Sequence, residues 1–190
     1  MGRLLSLVCF PFVVHHYRSI FELQRRINSL NHGMVRTVLV SCYWRWCAKY
    51  CAWIGLDAKF LGEPILPHGL NGIFISGGST IGKNCIIYHQ VTIGSELNQL
   101  GGGGPILKDN VYCGAGSKII GRIVVGEHAR IGANCCVYKD VPDNCVAVNS
   151  PTRLIQKENL INRRYTRNGN EWFYYEDGKW VNCSSPQDTI

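Results

Sequence analysis

The sequence predicts a mainly β chain in which short parallel strands wind into a β-helix. An α-helical segment precedes the coil and a strand-bearing tail follows it. Three observations carry that expectation. Aliphatic or cysteine residues recur every six positions, at Ile75, Ile81, Ile87 and Ile93, then at Leu107, Cys113, Ile119, Val125, Ile131 and Val137. Four positions after each member of the second run stands another small or medium residue: Val111, Ser117, Ile123, Ala129, Cys135 and Val141. Glycine follows the aliphatic position at Gly82, Gly94, Gly114, Gly126 and Gly132, within a total of 21 glycines that is high for 190 residues.

A period of six is neither that of a helix nor that of a simple strand. It fits a prism whose flat sides are strands, with one side and one corner per unit. The aliphatic residue points inward, and the residue four later sits where only a small side chain fits. Three such units make a coil of eighteen residues, and coils stack as a solenoid. Glycine and asparagine at the corners supply backbone conformations that other residues resist. A β-sandwich would instead show turn signals every ~8–12 residues.

Taken in order, residues 3–30 and 34–54 read as two helices broken at Asn31-His32-Gly33. The opening MGRLLSLVCFPFVV is apolar but too short to span a bilayer, and no small-residue cleavage site follows it. It reads as a helix packed on its own domain, the alternative being a helix lying on a membrane surface. The repeat is then broken twice. Ile93 and Leu107 stand fourteen apart, so eight surplus residues within 95–105 leave the coil as an extruded loop, made flexible by Gly101-Gly102-Gly103-Gly104. The irregular stretch Pro67-His68-Gly69-Leu70-Asn71-Gly72 precedes the regular units, and such irregularities are where function is usually built. In the tail, Asp177-Gly178 between aromatic runs predicts a hairpin. The expected organisation is a helical segment over 1–55, the coil with its loop 95–105 over 56–153, and a tail over 154–190.

The net charge of +7 suits an anionic partner: a nucleic acid, a membrane surface or a phosphorylated small molecule. No zinc-type Cys/His spacing and no RNA-binding aromatic motif is present, which argues against nucleic acid. The ten cysteines show no CxxC and read as buried thiols in a reducing compartment. The expected location is therefore cytoplasmic, with the inner face of the membrane left open.

Specific stretches carry a resemblance. LPHGLNGIFIS at 66–76, IGKNCIIYHQVTIGS at 81–95, the run from Ile106 to Asn144 and SPTRLI at 150–155 are similar to the serine acetyltransferase branch of the hexapeptide-repeat acyltransferases. That branch includes O-acetyltransferases of capsular and other cell-surface glycans. The resemblance implies a left-handed β-helix, a homotrimer with active sites between subunits, and acetyl-CoA as co-substrate with no metal required. Burial of the flanks in such a trimer would account for the low share of charged residues, 17%.

His68 matches the family's catalytic histidine. A neutral imidazole can take the proton of an attacking hydroxyl, which is otherwise a poor nucleophile, while a backbone N–H stabilises the oxyanion. His89, one coil later, is the second catalytic candidate, orienting the acceptor or acting as the base instead. The coenzyme-binding candidates are the small residues Ala115, Ser117 and Ala133, which leave strand backbone open to the pantetheine arm, and Lys139, Arg153 and Lys157 for its phosphates. The chain also departs from serine acetyltransferases. Gly104 stands before Pro105 where they carry a second histidine, and Asp57 only loosely corresponds to the aspartate that assists their catalytic histidine. One extra residue separates His68 from the following strand, and the helical segment is short. These departures favour a sugar hydroxyl in a cell-surface polysaccharide or its precursor as acceptor. Serine O-acetylation, as in cysteine biosynthesis, is the alternative, and a non-catalytic scaffold the second.

Overall fold

A computed structural model describes residues 2–96, 103–149, 164–176 and 178–183. The chain divides into two compact units, Met1–Ser150 and Pro151–Ile190.

The first unit opens with three helices rather than two: α1 (Gly2–His16), α2 (Ile20–Asn28) and α3 (Met34–Lys49). The break between α1 and α2 has a local cause. Ser19 is extended and its hydroxyl accepts a hydrogen bond from the Glu22 N–H at 3.1 Å. This Ser-x-x-Glu pattern is a helix-start signal legible in the sequence. α3 stops at Lys49, short of the expected Ile54, because Trp53–Ile54 is already the first strand of the coil. Among the described residues no helix is long and apolar enough to cross a membrane.

Three parallel sheets form the sides of the coil. The first stacks β1 (Trp53–Ile54), β3 (Phe74–Ile75), β6 (Thr92–Gly94), β9 (Lys118–Ile120) and β12 (Cys136–Val137). The second holds β2 (Lys59–Phe60), β4 (Thr80–Ile81), β7 (Ile106–Leu107) and β10 (Val124–Val125). The third holds β5 (Ile86–Ile87), β8 (Tyr112–Cys113), β11 (Arg130–Ile131) and β13 (Val146–Ala147). Register partners confirm the eighteen-residue coil: Ile75 pairs with Ile93, and Ile119 with Val137. Between Ile93 and Ile119 the step is twenty-six, which places the eight surplus residues in the loop. An antiparallel bridge between Glu96 and Gly103 closes the loop's base. Residues 97–102, including half of the glycine run, lie outside the described residues. The inward column Ile75, Ile81, Ile87, Ile93, Leu107, Cys113, Ile119, Val125 and Ile131 is buried throughout, a continuous apolar rod that no single coil could bury alone.

The corners divide their work between two residue types. Asn84, Asn110, Asn134 and Asn144 take the left-handed backbone, with φ between 54° and 62°. The glycines that follow the aliphatic positions do not supply conformation as expected. They make room: a Cβ on Gly82 would lie 2.5 Å from the Lys108 backbone of the next coil.

Two buried polar side chains fasten the helices to the first coil. The Gln24 amide donates to the carbonyls of Gly55, Leu56 and Ala58 at 2.9–3.1 Å. The Tyr43 hydroxyl donates to the Ile54 carbonyl at 3.0 Å. Each removes from isolation carbonyls that the first coil cannot pair with a preceding one.

The second unit is an antiparallel meander of β14 (Arg164–Asn168), β15 (Glu171–Glu176) and β16 (Lys179–Cys183). The expected hairpin is β15–β16, turning at Gly178 with φ 81°. Its partner in the turn, Asp177, lies outside the described residues. The Arg167 guanidinium sits 5.7 Å from the centre of the Trp172 ring, tying β14 to β15.

Candidate active site

The first full coil is three residues too long. Trp53 pairs with Phe74, twenty-one positions on, and the excess falls in the turn from Pro67 to Gly72. Gly69 and Gly72 there have φ of 64° and 67°. At Gly72 a side chain would also meet Gln90, 3.1 Å away. The turn presents His68 outward, and the Asn71 amide donates to the His68 carbonyl at 2.8 Å to hold it.

His89 lies twenty-one residues further on, so the two histidines share one corner on successive coils. Their Nδ1 atoms are 2.6 Å apart, with ring centroids at 4.7 Å. His68 is exposed and His89 half-buried. The Gly116 N–H donates to the His89 carbonyl at 3.0 Å, and the Lys118 ammonium donates to the Gln90 carbonyl at 2.7 Å. Tyr88 packs edge-on against the His68 ring at 5.2 Å.

The contact between the rings has a definite chemical meaning. One Nδ1 must carry the proton and the other must accept it. In the neutral pair the rings are therefore opposite tautomers. One leaves a lone pair at its Nε2; the other carries an Nε2–H. The pair thus offers one base and one donor, the two groups that acyl transfer to a hydroxyl requires.

The same corner continues along the coil. Asn134 N–H donates to the Ala115 carbonyl at 2.8 Å, and the Asn149 amide donates to the Asn134 carbonyl at 2.8 Å. Ala115 and the exposed Ala133 therefore stand in one column with His89. Ser117 does not. Its side chain is fully buried and its hydroxyl has no partner, because it occupies the inward small position of the repeat. Its own N–H and C=O are used by Gly114 and Thr92, so it leaves nothing for a coenzyme. Lys139 is exposed beside the Tyr138 ring, on a shallow groove of about 260 Å³ that Tyr138 and Val148 also line. Arg153 and Lys157 lie outside the described residues. Asp57 is not the partner of His68. It sits against Gly77 of the next coil, and the His68 ring nitrogen meets His89 instead.

Sequence reasoning missed a second row on the third sheet. Tyr88 packs on Tyr112 at 5.3 Å, and the Arg130 guanidinium lies 4.5 Å over the Tyr112 ring. Burial, and then the hydrogen bond that the Tyr112 hydroxyl donates to Tyr88, push the Tyr112 phenol up, against the pull of Arg130. The signal was present: Tyr112 and Arg130 are eighteen apart, each immediately before an inward residue. Among the described residues no cluster of three or more His, Cys, Asp or Glu is arranged to hold a metal.

No protein-family model matches the chain. It is 41% identical over 101 residues to the serine acetyltransferase of Synechococcus elongatus, covering 53% of this chain and 41% of that one. To the serine acetyltransferase of Mycobacterium tuberculosis it is 37% identical over 95 residues, covering 50% and 42%. The structure superimposes on soybean serine acetyltransferase complexed with serine, with a TM-score of 0.59 and 30% identity over 72% of this chain and 56% of that one. It also superimposes on Neisseria gonorrhoeae serine acetyltransferase in complex with serine, with a TM-score of 0.60 and 27% identity over 71% and 55%. The chain spans about half the length of the curated relatives it matches.

The coil is that of the hexapeptide-repeat acyltransferases, a left-handed parallel β-helix. Within that class the chain is serine acetyltransferase-like. These findings correct the expected acceptor. The relatives are named for serine and not for a glycan. The departures that favoured a sugar, at Gly104, at Asp57, in the turn after His68 and in the short helical segment, therefore do not set the acceptor.

Proposed function

We propose that the chain is an acetyl-CoA-dependent serine O-acetyltransferase in which His68 is the general base. The observation that carries the reading is the His68–His89 contact, set in the ILPHG turn of a serine acetyltransferase-like coil.

If His68 is the base, its Nδ1–H donates to His89 Nδ1 and its Nε2 lone pair faces the acceptor. The serine hydroxyl gives its proton to Nε2 as its oxygen attacks the thioester carbonyl. His68 then carries a positive charge while still donating from Nδ1, and a hydrogen bond from a charged donor is the stronger kind. His89, oriented by that bond, keeps an Nε2–H available to a developing oxyanion. When the tetrahedral intermediate collapses, the carbon–sulfur bond breaks and the His68 proton passes to the departing thiolate. The products are O-acetylserine and coenzyme A.

Ala115 and Ala133 would flank the pantetheine arm along the corner column. Lys139 would meet the coenzyme phosphates; the other two candidates, Arg153 and Lys157, lie outside the described residues. We assign the assembly as a homotrimer whose sites are completed by a neighbouring subunit. The open exposure of His68, and exposed Phe74, Ile106 and Ile65 on the coil flanks, support that assignment.

Release of coenzyme A thiol by the full chain, measured with and without L-serine, tests the reading. Serine-dependent release is expected, and His68→Ala should lower it by about 100-fold or more. Wild-type turnover in that variant would remove His68 from the role. Absence of serine-dependent release in the folded wild type would overturn the activity and favour a scaffold.

A further inference from the structure

The N-terminal helix shows one side to its own domain and leaves the other bare. Ser6 and Val13 are buried, and Ser6 meets Cys42 and Arg45 of α3. On the opposite side Leu7, Val8 and Phe12 are 54%, 67% and 74% exposed, with Pro11 exposed between them. Positions 7 and 11, and 8 and 12, are one turn apart, so these residues form a single stripe. Met34 and Val35, in the first turn of α3, are also 67% and 64% exposed. Isolated exposed apolar residues are ordinary, but a continuous stripe of this kind is not.

Charge identifies what would cover it. The first 56 residues contain seven Lys or Arg and a single acid, Glu22. Nearly the whole +7 of the chain therefore sits in this segment. Glu22 is already engaged, accepting from the Arg18 N–H at 2.9 Å. The exposed Arg18 follows the stripe, and Arg36 follows Met34 and Val35. A second copy of the same face would bring two strongly cationic segments together. An anionic bilayer answers both the apolar stripe and the charge. α1 has 15 residues, about 22 Å of helix, and cannot cross the hydrocarbon core, so it would lie in the interface plane.

We propose that α1 and the start of α3 form a docking face for anionic membrane surfaces, with Leu7, Val8 and Phe12 entering the interface and Arg18 and Arg36 meeting lipid headgroups. The inference does not depend on the transferase reading. Flotation of the full chain with vesicles tests it, using mixed phosphatidylglycerol and phosphatidylcholine against phosphatidylcholine alone. Binding should be confined to the anionic vesicles and weaken as salt is raised. Val8→Asp with Phe12→Asp should reduce it at least about tenfold. Arg18→Gln with Arg36→Gln should also reduce it, by about fivefold per charge removed. Val8, Phe12 and Arg18 are exposed and Arg36 is half-buried, so melting temperature and coenzyme A release should stay at wild-type values. Equal flotation with neutral vesicles, or undiminished flotation of the aspartate variant, would overturn the proposal. If the aspartate variant instead lowered the mass in solution and left flotation unchanged, the stripe would be a contact between copies of the chain.

Discussion

At the scale of single residues, the informative contact is the one between two imidazoles. A carboxylate beside a histidine accepts its Nδ1–H and fixes its tautomer. Here His89 does so with a neutral nitrogen, at 2.6 Å. A hydrogen bond to a charged group is worth about 1.5–3 kcal/mol, or roughly 10- to 100-fold in rate. His89→Ala should therefore lower kcat by about 10- to 100-fold, less than the loss in His68→Ala. His89→Asp, which restores an acceptor for the Nδ1–H, should recover part of that loss, and steady-state kinetics of the three variants would show the order. A purely structural His89 would give variants that differ in melting temperature and not in kcat. His68 was legible in the sequence because its turn is a motif, and His89 because the spacing returns it to the same corner. Ser117 was misread because smallness has two causes in this repeat. Outside, it opens backbone to a ligand; inside, it fits a narrow prism, and Ser117 is inside.

At the scale of elements, the coil is held by columns and not by individual strands of two or three residues. Ile119 is fully buried and pairs on one side with Ile93 and on the other with Val137. Ile119→Ala should cost about 2–5 kcal/mol, since the rigid coils above and below cannot collapse into the cavity. Chemical denaturation would measure it, and a loss below about 0.5 kcal/mol would contradict the stacked-column picture. The period, the coil length and the site of the extruded loop were all legible, because inward positions in a narrow prism tolerate few residue types. Helix boundaries were less so. The apolar texture of residues 3–30 continues across Ser19, and only the capping pair Ser19 and Glu22 marks the break. The strand Trp53–Ile54 was absorbed into a helix because its partner, Phe74–Ile75, is twenty-one residues away and invisible to local pattern.

At the scale of the molecule, the proposed trimer has a direct expectation. The chain, of 21.3 kDa, should run at three times that mass by light scattering. Phe74→Glu, on the exposed flank of the first sheet, should shift it toward the monomer and reduce turnover in parallel. A monomeric wild type with full activity would separate the site from any neighbour. Composition pointed to the segregation of charge only weakly, because a net value hides where the charge lies. The acceptor was not legible in departures from a family pattern; the serine reading rests instead on relatives named for serine, matched over about two fifths of their length.

The cysteines of the interior have a consequence of their own. Cys85, Cys113 and Cys135 are buried within the coil, and burial pushes each thiol up, away from the reactive thiolate. Cys47 is pushed up to about 11 by the same cause, where the helices meet the first coil. Cys51 and Cys136 are exposed. Nature has thus placed silent reporters at successive levels of the rod, with two outer thiols as an internal standard. An alkylating reagent would mark the outer pair at once and the inner ones only as each level breathes open. The order in which the inner thiols take the label would record the direction in which the solenoid unzips.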